Sequence, residues 1–388
     1  MIDPSILPAD SLGPVRLGLV TTYPPTKCGI SKYSYSLAKA FESIDPDIEI
    51  EVVRLVPDYP SPSASSETVL EIVPDLPLSM RAAARRLNRC DVVVLQHEFG
   101  IFGRGDGESV VDLVQMLRPP VVAVLHTVPA EPSSNQLRVL TALASRCRLV
   151  TLSEAARRGL QHHKVARPED VAVIRHGASW RHVPPLPSAR HRLITWGLLG
   201  PGKGLERAIA ALPRLRDLTP KPIYQIVGRT HPNVARAQGF AYRQSLESLA
   251  SDLGVEDMVD FVDRYLGESE LQGMVQRSGV VIVPYDNREQ ISSGVLTEAL
   301  AAGRPVVSTR FPYAEEMLGT GAGIVVDHDR EMLAAAIRRL LTEPGLYEAC
   351  AQASHDMAGE LAWPRVAEQY AMFIKETLEP LAAGSLKA

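Results

Sequence analysis

Short apolar, β-branched runs alternate with longer stretches of helical period along the whole chain. VRLGLVT (15–21) is followed by a glycine-containing loop and then by SKYSYSLAKAF, whose apolar positions recur at helical spacing. Further predicted strands are IEIEVVRLV, DVVVLQ (91–96), VVAVLH (121–126), RLVTLS (148–153) and VAVIRH (171–176), with SMRAAARRL and ESVVDLVQML as helices among them. Continuous apolar strands separated by helices predict βαβ units and a parallel sheet covered on both faces. The rhythm breaks at SWRHVPPLPSARHR (179–192), which carries three prolines and no apolar period and reads as a linker. It resumes with RLITWGLL, PIYQIVG, MVDFVD, VVIVPY, RPVVST and GIVVD, and ends in a tail, AWPRVAEQYAMFIKETLEP, of one amphipathic helix or two. The prediction is an α/β chain of two Rossmann-like doubly wound domains with an interdomain cleft, 1–183 and 184–360, followed by a terminal helical segment, 361–388.

Composition narrows the class. Hydrophobic residues are 45% and charged residues 22% of the chain, an ordinary balance for a folded protein. A net charge of −4 lends no global support to a nucleic-acid partner. MIDPSILPADSLGP has acids and prolines where a signal peptide needs a basic start and an apolar run, and no stretch reaches the ~18–20 apolar residues of a membrane span. Cys28, Cys90, Cys147 and Cys350 are scattered without a CxxC spacing, which suits a reducing cytoplasm and argues against structural zinc. A cytoplasmic protein is expected.

Ligands of open α/β sheets bind beyond the carboxyl ends of the strands, so loops there carry the candidate chemistry. After VVIVPY comes DNREQISSGVLTEALAAG, a polar loop entering a helix. The free N–H groups of such a helix start favour an anion such as a diphosphate, and Ser292, Ser293 and Gly294 are small enough to let one approach. Glu298 lies five residues after Ser293, too far for a capping box. It is read either as an acid complementing the helix dipole or as a carboxylate accepting from ribose hydroxyls. In TWGLLGPGKGLERAIAAL, glycines surround Lys203 before a helix, at a spacing that is neither a P-loop nor GxGxxG. A lysine there is a phosphate counter-charge or a solvated turn residue. Gly29, in TTYPPTKCGISKY, would let a ligand approach the backbone or would serve the turn. His97 and Glu98 follow a strand without HExxH spacing or a clustered third ligand, and are read as acceptor contacts or as a hydrogen-bonded pair, with no metal. Arg81, Arg85 and Arg89, with Arg86 beside them, form a basic helix face that is either solvated or a peripheral contact for anionic lipid at the inner membrane face.

The ordered set YPPTKCGISKYSYSLAKAF, LQHEFGIFG, LHTVP, HGAS, GLLGPGKGLERAI, VGRTHP and EQISSGVLTEAL resembles family-4 glycosyltransferases of the GT-B fold over nearly the whole chain. The resemblance implies retaining, metal-independent transfer of a hexose from a nucleotide diphosphate sugar to a hydroxyl of a glycan, lipid-linked or small-molecule acceptor, without a cofactor. It implies that Gly29 faces the donor diphosphate, that Lys203 neutralises it, that Ile291, Ser292, Ser293 and Gly294 hold phosphate and sugar, and that Glu298 holds the ribose. Arg264 and Tyr265 would line the base pocket, and His126 would reach the transferred sugar near the reacting carbon. Where the family often has an arginine and a glutamate, this chain has Leu198 and Gln290. Gln290 can hydrogen-bond sugar hydroxyls but supplies no charge, and Glu289 and Arg229 are nearby substitutes. EQISSG with GLL-x-x-GKG is similar to a bacterial subgroup associated with mannose, making GDP-mannose the favoured donor. A phosphorylase or epimerase on the same fold, and a non-catalytic sugar-nucleotide binder, remain alternatives.

Overall fold

The computed structural model describes residues 15–59, 67–179, 190–264 and 266–379. The chain forms two compact units, one of residues up to Gly177 with the segment from Trp363, the other of Ala178–Ala362. Most of the proline-rich stretch (180–189) and Tyr265 lie outside the described residues.

The first unit contains β1 (Arg16–Thr21), β2 (Glu49–Leu55), β3 (Thr68–Ile72), β4 (Val92–His97), β5 (Val121–Leu125), β6 (Arg148–Thr151) and β7 (Val171–Val173). They form one sheet in the order β3-β2-β1-β4-β5-β6-β7, with every pair parallel. On one face Leu17, Leu19, Val92, Val94, Val122 and Val124 pack in a common core with Leu37 and Phe41 of the Gly29–Ile44 helix and Val366 and Tyr370 of the Trp363–Leu378 helix. The tail is thus a single helix of the first unit, tied to it also by the Tyr33 and Tyr370 hydroxyls, 2.8 Å apart.

The second unit contains β8 (Arg192–Trp196), β9 (Ile223–Val227), β10 (Val259–Val262), β11 (Val280–Val283), β12 (Val306–Thr309) and β13 (Gly323–Val326). The order is β10-β9-β8-β11-β12-β13, again all parallel. Successive side chains of a strand face opposite ways. Leu193, Tyr224, Ile226, Val280 and Ile282 accordingly enter one core, whereas Ile194, Trp196, Val227, Val281 and Val283 enter the other. Both faces being buried explains the unbroken apolar runs. Each such side chain stabilises the fold by about 1.5–3 kcal/mol relative to exposure.

In both sheets the strand order reverses beside the first strand, between β1 and β4 and between β8 and β11. Loops leaving the two strands at such a point diverge to opposite faces and leave a crevice at the carboxyl edge.

Candidate functional site

In the second unit the two loops at the reversal are joined. Past β8 the chain turns through Gly202, Lys203 and Gly204 into the Leu205–Ala211 helix. Past β11 it runs through Pro284, Tyr285 and Asp286. The Asp286 N–H donates to the Gly202 carbonyl at 3.0 Å. Arg207 donates to the Pro284 carbonyl at 2.9 Å and pairs with the Asp286 carboxylate at 2.7 Å. The half-buried Lys203 ammonium sits 4.4 Å from the centre of the Tyr285 ring, an electrostatic contact that fixes its position.

The Gly294–Ala301 helix begins at the end of the β11 loop. The Ser293 hydroxyl caps it by accepting the Leu296 N–H at 3.2 Å, so what Ser293 and Gly294 can offer a ligand is backbone N–H. The half-buried Gln290 donates its side-chain amide to the Ser292 carbonyl at 2.8 Å, and Ile291 is buried beneath the loop. The Glu298 carboxylate, 8% exposed, accepts from the Trp196 indole N–H at 3.0 Å. That bond runs from the end of β8 to the helix after β11 and spans the strand-order reversal. A buried carboxylate with a specific donor is more than a dipole complement on a solvated helix face.

Other candidates lie farther out. Arg229 is exposed after β9, and its carbonyl accepts the Leu199 N–H at 2.8 Å, which places its backbone beside the lysine loop. Leu198 is half-buried in that loop, and Glu289 is exposed. Arg264, after the edge strand β10, is exposed and donates to Glu270 at 2.9 Å, with the β9 strand between it and β8.

In the first unit Gly29 opens its helix behind the Cys28 cap and is exposed, and a Cβ there would meet nothing within 4 Å. His126 follows β5, with its Nε2 2.7 Å from the Gln96 side-chain oxygen and its ring edge-on to Tyr33 at 4.9 Å. Tyr33 also meets His176 at 4.9 Å and Trp363 at 5.0 Å, so these rings form one cluster.

Two sequence readings need correction. His97 does not face solvent. Its side chain is fully buried, with Phe99 edge-on at 4.9 Å and Phe102 stacked at 6.2 Å, and neither ring nitrogen has a hydrogen-bond partner among the described residues. Alternation along β4 directs Gln96 toward His126 and His97 the other way. Glu98 does not pair with His97. It accepts the Phe99 N–H at 3.0 Å and the Thr127 hydroxyl. Arg86 does not extend the basic face, because its Nε and Nη2 both donate to the buried Glu51 carboxylate at 2.7 Å.

Burial alone lowers the His97 pKa to about 3, while burial followed by the neighbouring His176 and His97 takes His126 to about 3 as well. In the unfolded chain both titrate near 6.5. As pH falls below that value the unfolded state binds protons that the native state refuses. The two rings therefore stabilise the fold above about pH 6.5 and cease to do so toward about pH 3. The melting temperature is expected to drop between neutral pH and pH ~4. His97→Leu, which keeps an apolar body between Phe99 and Phe102, should flatten that drop. Thermal melts across pH check this, and identical slopes for the two proteins would refute it.

Trp196, Arg207, Tyr285 and Asp286 were not evident from sequence as parts of the site. Trp196 reads as one more apolar residue of RLITW. Arg207 did leave a signal, since a cation in the first turn of a helix opposes the dipole unless a carboxylate offsets it, and Asp286 does so.

Residues 178–357 match the family of glycosyl transferases group 1. The D-inositol 3-phosphate glycosyltransferase of Rhodococcus jostii (strain RHA1) is 25% identical over 274 residues, 64% of this chain and 59% of that protein. The GDP-mannose-dependent alpha-(1-6)-phosphatidylinositol monomannoside mannosyltransferase of Mycolicibacterium smegmatis is 34% identical over 153 residues, 38% of this chain and 37% of that protein. The chain thus spans less than two thirds of the length of either relative. The crystal structure of Anabaena HepE in complex with UDP has the same fold, with a TM-score of 0.72 at 16% identity over 93% of this chain and 100% of that one. The stretch that matches the family, residues 178–357, lies within the second unit and includes the joined lysine and serine loops.

Proposed function

We propose that the chain is a retaining, metal-independent glycosyltransferase that moves a hexose from a nucleotide diphosphate sugar to an acceptor hydroxyl on a glycan, a lipid-linked molecule or a small molecule. GDP-mannose is the favoured donor. The observation that carries the reading is the union, at the strand-order reversal of the second sheet, of the Lys203 loop with the loop entering the serine-capped helix. That union brings the Lys203 loop and the loop leading to the serine-capped helix to one edge of the sheet, an arrangement suited to a diphosphate leaving group. The match to a GDP-mannose-dependent relative supports mannose, while the UDP bound to HepE keeps uridine donors in the test.

In the proposed reaction the bond between the anomeric carbon and the phosphate oxygen breaks, and its electron pair leaves with the nucleoside diphosphate. The acceptor hydroxyl oxygen bonds to the same face of that carbon, and its proton passes to the departing phosphate oxygen. No carboxylate nucleophile is needed, unlike in a retaining glycosidase. Negative charge grows on the diphosphate as the bond breaks, so Lys203 and the N–H groups at Ser293 and Gly294 bind the transition state more tightly than the ground state. Glu298, oriented by Trp196, holds the ribose hydroxyls. Ile291 and Gln290 shape the loop, Arg229 lends positive charge, Arg264 lies on the base side, and Gly29 leaves room at the diphosphate. From the first unit His126, held neutral by burial, offers the transferred sugar a hydrogen-bonding ring, and Glu98 serves the acceptor. The four free cysteines support a cytoplasmic location, and among the described residues no helix is long and apolar enough to cross a membrane.

The purified chain tested against a panel of nucleotide sugars should release nucleoside diphosphate only with an acceptor present, and undiminished in EDTA. Release of a monosaccharide phosphate would replace transfer with phosphorolysis, and binding without turnover would make the chain a sugar-nucleotide sensor. Loss of turnover in EDTA would reject the metal-independent step.

A further inference from the structure

The first unit has a second feature that sugar transfer does not use. The Pro77–Leu87 helix is entered from Leu76, 47% exposed, and carries Leu78 at its start, 75% exposed. Leu76, Leu78, Leu70 and Ala82, with Tyr59 beside them, line an apolar groove of about 410 Å³. Against it lies a second hollow of about 270 Å³, lined by Arg85, Arg86 and Arg89 with Val69, Leu70 and Ala82, so the two share a wall. Arg81 and Arg85 project from the helix, and Arg89 stands just past its Asn88 cap. All three are exposed, and none has a carboxylate partner among the described residues. Arginines at a helix C-terminus complement the dipole, which accounts for Arg85 but not for bare leucines at the other end.

We propose that this face docks on an anionic lipid surface, with Leu76 and Leu78 seated among the acyl chains and Arg81, Arg85 and Arg89 on lipid phosphates. The occupant is chosen by charge complementarity. A wholly apolar partner would strand three unpaired arginines, and a soluble polyanion would leave the leucines and their groove in water. A membrane interface supplies both environments within the width of one amphipathic helix. Long arginine side chains reach the headgroups while their stems cover apolar surface. The proposal stands apart from the transferase reading, and its readout does not depend on activity.

The test is co-sedimentation of the full chain with phosphatidylcholine vesicles, with and without phosphatidylglycerol. Binding is expected only to the anionic vesicles and should weaken as salt is added. Each arginine contributes about fivefold to such binding, so Arg81→Ala, Arg85→Ala and Arg89→Ala together should lower affinity about a hundredfold. Leu76→Ser with Leu78→Ser should cost roughly tenfold or more, even in low salt. All five side chains are solvent-exposed, and unchanged melting temperatures would confirm that the variants fold. Equal binding to neutral and anionic vesicles, binding to neither, or wild-type binding by both variants would overturn the proposal. Capture by RNA or by a soluble protein without vesicle binding would overturn it as well.

Discussion

Lys203→Ala is expected to lower turnover of the nucleotide sugar by at least about tenfold, and on the order of a hundredfold if its charge is fully preorganised. The ammonium lies 4.4 Å from the centre of the Tyr285 ring, a contact that limits its reorientation as charge develops on the diphosphate. A contact stronger in the transition state than in the ground state affects kcat more than KM. The lysine is half-buried and its partner ring is itself core, so removal should leave the melting temperature nearly unchanged. Steady-state kinetics on the donor identified by the panel, alongside thermal melts, checks both parts. Undiminished kcat would remove Lys203 from the mechanism.

Gly204→Ala should be the most disruptive single methyl in the second unit's site. Gly204 has φ +65°, and a Cβ there would stand 1.7 Å from the Pro284 carbonyl oxygen. The left-handed backbone costs about 1–2 kcal/mol for alanine. The clash then wedges the lysine loop away from the β11 loop, stretching the Asp286–Gly202 and Arg207–Pro284 hydrogen bonds that join them. A total above about 2 kcal/mol, or roughly 4–8 °C in melting temperature for a unit of this size, is expected, with loss of most donor turnover. Gly202→Ala is the control. It has φ +89°, but its Cβ would meet nothing within 4 Å, so it reports backbone strain without the wedge. If the two variants behaved alike, the close approach of the loops would not be what organises the site.

Much of this architecture could be read from the chain because a parallel sheet covered on both faces writes itself as unbroken apolar runs. VVIV (280–283) and RLITW (192–196) lie in the sheet where that pattern placed them. The edge strand β3, TVLEI, escaped because it is mostly half-exposed and places Glu71 among its apolar residues. Its pairing with β2 is a tertiary event. His97 misled because a His-Glu doublet after a strand looks like chemistry, whereas the direction of each side chain depends on register and on neighbours far along the chain. The polar loops and small residues were visible as possible phosphate contacts. The groups that hold them, Trp196 beneath Glu298 and Arg207 beneath Pro284, are separated by 102 and 77 positions from their partners, and only folding brings them together.

The most direct measurement is a crystal structure of the chain grown with a nucleoside diphosphate. The account predicts the diphosphate within hydrogen-bond reach of the Lys203 ammonium and of the N–H groups at Ser293 and Gly294, with the ribose hydroxyls on Glu298. A nucleotide bound elsewhere, out of reach of the Lys203 ammonium and with Glu298 touching only protein, would contradict it.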